Sequence, residues 1–275
     1  MITLRIENKK GELLAGAEGK AETALVYHGV YEPGDRIIVD PQMTEDTGRF
    51  LFLTLDDTIG EELVFVKKKM VYEIPFGEAA LSFSPKAFAG DRHFHDGQWQ
   101  TGPRHFLSAR YARPYESDGY RNLARNKYDQ AEAQSYPHAS SNIETRGEVV
   151  FAARCAIDGL WTNRSHGEWP YTSWGLDIKE PAPYWKVEFG RMVTIDRIRL
   201  HIRADFPHDN WWTSIDLNFS DKSRETLYLR KTSAAQEFML DPKKTDYILI
   251  DRLHCCEGDL SPFPALMQLE AFGQG

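Results

Sequence analysis

The sequence predicts an all-β protein built from two β-sandwich domains. Three observations carry this. Short runs alternate apolar and polar residues with a period of two. Turn-rich segments separate these runs, and no long amphipathic helical stretch interrupts them. A half-buried strand shows this period because successive side chains point to opposite faces.

The alternation starts at once, with Ile2, Leu4 and Ile6 on one face of the first strand. Further strands are expected at 23–31, 36–40, 49–55, 63–74 and 105–110, with YEPGD at 31–35 as a turn. DRHFHDG at 91–97 sets His93 and His95 two apart, the spacing that points both the same way on a strand. A lone His-x-His pair is read here as a solvated loop. From 113 to 141 the chain is polar and poor in strand signals, which places the boundary between domains at 1–115 and 121–275. Six of the seven tryptophans follow that stretch, so the two parts differ in character.

Alternation is cleanest in the second part. Trp185, Val187 and Phe189 alternate with Lys186 and Glu188. Ile198, Leu200 and Ile202 alternate with Arg197, Arg199, His201 and Arg203, and Ile215, Leu217 and Phe219 with Asp216, Asn218 and Ser220. FGRMVT and SDKSRE read as turns between runs.

A formal net charge of -8 argues against a general nucleic-acid or anionic-membrane binder, since both need a basic footprint. No apolar run is long enough to span a bilayer. The start, MITLRIENKKGELL, lacks the pattern of a secretory leader. Cys155, Cys255 and Cys256 are odd in number and include an adjacent pair, a poor disulfide framework and a poor zinc site. Together these point to a cytoplasmic protein. No nucleophile elbow, phosphate loop or dinucleotide fingerprint occurs, so no nucleophile and base can be named.

From Asn122 onward an ordered set of motifs accumulates: NLARNKYDQ, YPHASSN, AIDGLWTN, YWKVEFGRMVTIDRIRLHIR, WWTSIDLNFSD and ALMQLEAFG. This order resembles the galactose-binding-like sandwich of discoidin (factor V/VIII type C) domains and related carbohydrate-binding modules. The resemblance implies a jelly roll with its ligand among loops at one end. It also implies a non-catalytic binding role toward sugars, lipids or proteins. AIDGLWTN resembles the loop that holds a structural calcium in many relatives, with Asp158, Thr162 and Glu270 as oxygen donors. Here Leu160 replaces the usual asparagine and the loop is short. Asp158-Gly159 also suits a plain turn.

Sugar recognition needs an aromatic ring under the C–H face of a pyranose and planar polar groups for its hydroxyls. Three segments offer this mixture. The first holds His138 and Arg146, the second His166, Glu168 and Trp169, and the third Arg203, Asp205, His208, Asp209 and Trp211. They are expected to converge on one pocket, while Trp174, Trp185 and Trp212 are expected in the core or under a lid. A cytoplasmic binder would meet mono- or oligosaccharides. Two other classes stay open. One is a carbohydrate-active glycosidase or lyase with catalytic groups in the first domain or the interdomain cleft. The other is a protein-interaction module.

Overall fold

The computed structural model describes residues 1–43, 47–89, 91–95, 98–162, 169–176, 179, 181–204, 210–259 and 261–275, with backbone alone at 91–95 and 98–102. These residues form two compact units. One is Met1–Pro114 with Glu132–Ser135, and the other is Tyr115–Ala131 with Tyr136–Gly275. Both are β-rich, and among the described residues no helix is long and apolar enough to cross a membrane.

The first unit contains β1 (Ile2–Glu7), β2 (Leu13–Gly19), β3 (Glu22–Tyr27), β4 (Arg36–Asp40), β5 (Arg49–Thr54), β6 (Glu62–Val66) and β7 (Met70–Glu73), then β8 (Asp91–His95), β9 (Gln98–Gly102) and β10 (His105–Tyr111). One sheet runs β2-β1-β4-β7. A second contains β6-β5-β10-β3, and β8 and β9 form a separate hairpin. Ile2, Leu4, Ile6, Ile37 and Val39 from the first sheet are buried, as are Leu51, Leu53, Val64, Val66 and Leu107 from the second. The apolar run at 63–74 divides into β6 and β7. Lys67-Lys68-Lys69 interrupts it, because three consecutive ammonium groups cannot be buried unpaired. β2 escapes the alternation rule because its leucines face outward, Leu13 being 62 % exposed. His93 and His95 lie in β8, and their side chains fall outside the described residues.

His105 is buried among aromatic rings in this unit. Its ring lies 4.1 Å from that of Tyr31 and 6.0 Å from that of Tyr27. Its Nε2 is 3.2 Å from the Gly29 carbonyl. Burial lowers its pKa below 6.5, against smaller opposing effects from that carbonyl, Asp56 and Asp57. The folded state therefore binds this proton less readily than the unfolded chain. The contribution is present above pH 6.5 and is lost as pH falls below 6.5 toward the lowered folded value. Replacing His105 with phenylalanine keeps the stacking and removes the titration. The wild type is expected to lose stability relative to H105F below pH 6.5, measured by thermal melts of both across that range. Parallel curves would refute it.

The second unit contains β11 (Arg121–Asn122), β12 (Ser135–Tyr136, whose first residue belongs to the first unit), β13 (His138–Ser141), β14 (Trp174–Gly175), β15 (Trp185–Arg203), β16 (Trp212–Phe219), β17 (Arg224–Tyr228), β18 (Gln236–Cys255) and β19 (Ala265–Gln274). The order is β11-β19-β15-β18-β16-β17, with β13 on β15 and β14 on β19. FGRMVT is not a turn between strands. β15 stays paired with β18 across it, but the register slips: Glu188 faces Tyr247, while Val193 faces Thr245. Extra residues on one strand bend it. Gly190 sits at the bend with φ +70, and a Cβ there would stand 2.5 Å from the Tyr136 ring.

The bend folds one continuous ladder into two facing layers. Trp185, Val187 and Phe189 from before it share a core with Val193, Ile195, Ile198, Leu200 and Ile202 from after it. Trp174, Trp185 and Trp212 are all in that core, with the rings of Trp174 and Trp212 stacked at 5.9 Å.

Candidate functional site

A sandwich made by bending one ladder has two unlike ends. At the corner end, His138 faces Glu188 across β13 and β15. At the open end, β15 finishes at Arg203 in one layer and β16 starts at Trp212 in the other. The segment between them joins the two layers. Along β18, Tyr247 (opposite Glu188) and Cys255 (opposite Trp212) lie eight positions apart. That is about 26 Å of strand.

The open end is built from polar groups fixed to the backbone. Arg203 is 3 % exposed, and its Nη2 donates to the Phe263 carbonyl at 3.0 Å. Gly175, Ala265 and Arg203 stand side by side across β14, β19 and β15. Asn210 is 1 % exposed; its Oδ1 accepts from the Trp211 amide at 2.7 Å, and its Nδ2 reaches the Asp259 carbonyl at 3.4 Å. The Asp259 carboxylate pairs with Lys231 at 2.9 Å. Cys256 donates its amide to the Trp211 carbonyl, which ties β16 to the end of β18. So the Asp259 and Phe263 carbonyls serve the two buried side chains.

Trp211 follows Asn210 directly, and Trp161 and Trp169 also keep aromatic surface exposed. Trp211 is half-buried against the core, and Trp169 keeps 38 % of its surface exposed. Trp161 is 59 % exposed, with its ring 5.9 Å from that of His201. His201 and Arg203 stand two apart on β15, on the face opposite Leu200 and Ile202 of the core. His201 is buried, which lowers its pKa with help from Arg199, and its Nδ1 has no hydrogen-bond partner among the described residues.

The expected site residues other than Trp169, which keeps partly exposed surface, divide into three groups. Arg203 and Trp211 both lie at the open end. His166, Glu168, Asp205, His208 and Asp209 lie outside the described residues. His138 and Arg146 are held elsewhere. His138 is at the corner end, its Nδ1 2.7 Å from the buried Asp129. Arg146 is exposed and pairs with Glu148 at 2.6 Å. Two open-end residues were not singled out from sequence. Asn210 was passed over beside the tryptophan pair, and Trp161 was hidden in a loop read for its ion-binding oxygens.

The Asp158 oxygens of that loop are both engaged within the chain. Asp158 is buried; one oxygen accepts from the Leu160 amide at 2.8 Å and the other from the Thr172 hydroxyl at 3.0 Å. Burial pushes its pKa up to about 7. Glu270 faces Arg199 at 3.3 Å. Thr162 is half-buried at the loop's end. Among the described residues no cluster of three His, Cys, Asp or Glu side chains is arranged to hold a metal.

No protein-family model matches the chain, and no curated protein matches it. Solved structures show similarity in shape. A chitosan-binding module of the chitosanase/glucanase from Paenibacillus sp. IK-5 is 19 % identical, with a TM-score of 0.39 over 55 % of this chain and 98 % of that one. A family 32 carbohydrate-binding module of C. perfringens NanJ, solved with galactose, is 16 % identical, with a TM-score of 0.37 over 49 % and 91 %. A Streptococcus pneumoniae fucose-binding module is 15 % identical, with a TM-score of 0.40 over 57 % and 99 %. At these identities and scores the likeness names no ligand for this chain.

Proposed function

We propose that the protein binds a mono- or oligosaccharide, without turning it over, at the open end of the second unit. The observation that supports this best is the pairing of Arg203 and Asn210, buried and fixed to loop carbonyls, with indoles that keep exposed surface. A pyranose presents C–H groups on one face and hydroxyls at its rim. Exposed indole suits the first, and planar amide and guanidinium groups suit the second. Fixing these groups before the ligand arrives lowers the ordering cost of binding. In this reading Trp161, Trp169 and Trp211 offer stacking surfaces, and Arg203 and Asn210 orient the ring.

The test is a thermal-shift screen against neutral sugars, uronic acids and amino sugars, followed by calorimetric titration of the hits. A ligand that binds only the folded state raises the melting temperature. Arg203→Ala is expected to weaken binding tenfold or more, because a charge-assisted hydrogen bond contributes about 1.5–3 kcal/mol. Trp161→Ala is expected to cost about 1 kcal/mol, or roughly fivefold. Absence of any saccharide-dependent shift in the folded protein would refute the proposal. Product formation from a hit sugar would move it to the enzyme class, and a concentration-dependent mass with no sugar response would move it to an interaction module.

A further inference from the structure

We propose that the guanidinium groups of Arg125 and Arg199 fill the place of a metal ion beside the Asp158–Leu160 turn, so that the chain locks this turn onto its sheet without calcium. The turn is fastened at three points. Gly159 donates its amide to Gln268 Oε1 on β19 at 3.0 Å. Asp158 closes the turn through Leu160 and holds the Thr172 hydroxyl. The stem of Arg125 lies against Gly159, its Cδ 3.5 Å from where a Cβ would stand.

Glu270 is two residues beyond Gln268 on β19, and so on the same face. Its carboxylate meets the Arg199 guanidinium at 3.3 Å, and the Arg125 charge acts on it as well. Calcium collects six to eight oxygens at about 2.3–2.6 Å, and it needs several of them ionised. Here the Glu270 carboxylate, largely buried, already faces the Arg199 guanidinium, and the Arg125 charge acts on it. The other carboxylate, Asp158, is buried, with both oxygens engaged. A dication entering this place would compete with guanidinium groups that already neutralise Glu270. Leu160 adds an apolar side chain in place of a donor. Arg125 is therefore a positioning residue. It holds the turn that leads into Trp161, whatever the open end binds.

The test uses the intact chain and calcium alone as the probe. The chelator-treated protein is expected to melt at the same temperature with and without added calcium chloride, and to give no heat of binding on titration. A saturable calcium-dependent rise in melting temperature would overturn the proposal. Arg125→Ala should lower the melting temperature by several degrees, and Arg125→Lys should recover part of the loss. In a double-mutant cycle, Arg125→Ala and Glu270→Gln should be non-additive. Strictly additive effects would show that the two side chains do not act together and would also overturn it. If Arg125→Ala fails to fold, the calcium titration of the wild type still decides the question.

Discussion

Replacing Trp185 with alanine is expected to destabilise the second unit by about 4 kcal/mol, the range found for removing a large aromatic from a packed core. Trp185 is fully buried, where β15 lies between β13 and β18. Its indole Nε1 donates to the Ala153 carbonyl at 3.0 Å. Alanine would leave both a cavity and a buried carbonyl without its donor, and these losses add. At about 2–4 °C per kcal/mol for a unit of this size, the melting temperature should fall by roughly 8–16 °C. Denaturant unfolding measures the energy directly. Trp185→Phe should recover most of the packing and none of the hydrogen bond. If Phe and Ala cost the same, the hydrogen bond dominates and the cavity argument fails. Trp169→Ala, which removes a side chain that is partly in water, should lie well below either.

Asp129→Ala is the second large effect, about 3 kcal/mol, from leaving two donors without their buried acceptor. Asp129 is 0 % exposed; it accepts from His138 Nδ1 at 2.7 Å and from the Ala139 amide at 2.9 Å. Its own carbonyl accepts from Arg154 at 2.9 Å. The side chain thus fastens a segment with little regular structure to β13. The hydrogen bond to Asp129 raises the His138 pKa above 6.5, and burial opposes it in part. The folded state therefore holds this proton more tightly than the unfolded chain. Its contribution is complete below pH 6.5 and is lost as pH rises through the raised folded value. The gap between wild type and variant should be widest in mild acid and should narrow on the alkaline side, read from urea unfolding at a series of pH values. A gap that widens with pH would show that His138 is neutral in the pair. This dependence is opposite in sign to that of His105, so the two can be separated.

Strands that hide one face in a core were legible because burial imposes the period of two on the sequence. β4 has the expected bounds, β1 carries the expected Ile2, Leu4 and Ile6 face, and the alternation from Ile198 ends, as read, at Arg203. β2 carries no such signal, because its outward leucines and its Ala and Gly residues put no apolar set on one face. The corner was illegible for a different reason. Gly190 supplies a turn-like backbone, but whether pairing stops there depends on β18, more than 50 residues away in sequence. The site depends on that corner. Arg203 and Trp211 were recognisable as site-forming types, and so were His138 and Arg146. Only the fold separates the pair at the open end from the pair held elsewhere. Asn210 gains its place from the Asp259 carbonyl, a partner that local sequence cannot reveal.

The path of the chain constrains how the protein can be cut. Glu132–Ser135 belongs to the first unit, although the residues on both sides belong to the second. Ala133 and Ser135 are buried there, and the Ala133 carbonyl accepts the Val71 amide at 3.3 Å. A gene fragment starting at Tyr115 would carry these four residues without the sheet that shelters them. A fragment ending at Pro114 would leave Val71 without its acceptor. The two units are therefore not interchangeable cassettes. Recombination that moved one without the other would break a core at a point distant from the visible boundary. An excised second unit would need Glu132–Ser135 rebuilt as a solvent-compatible loop before its behaviour could stand for that of the whole chain.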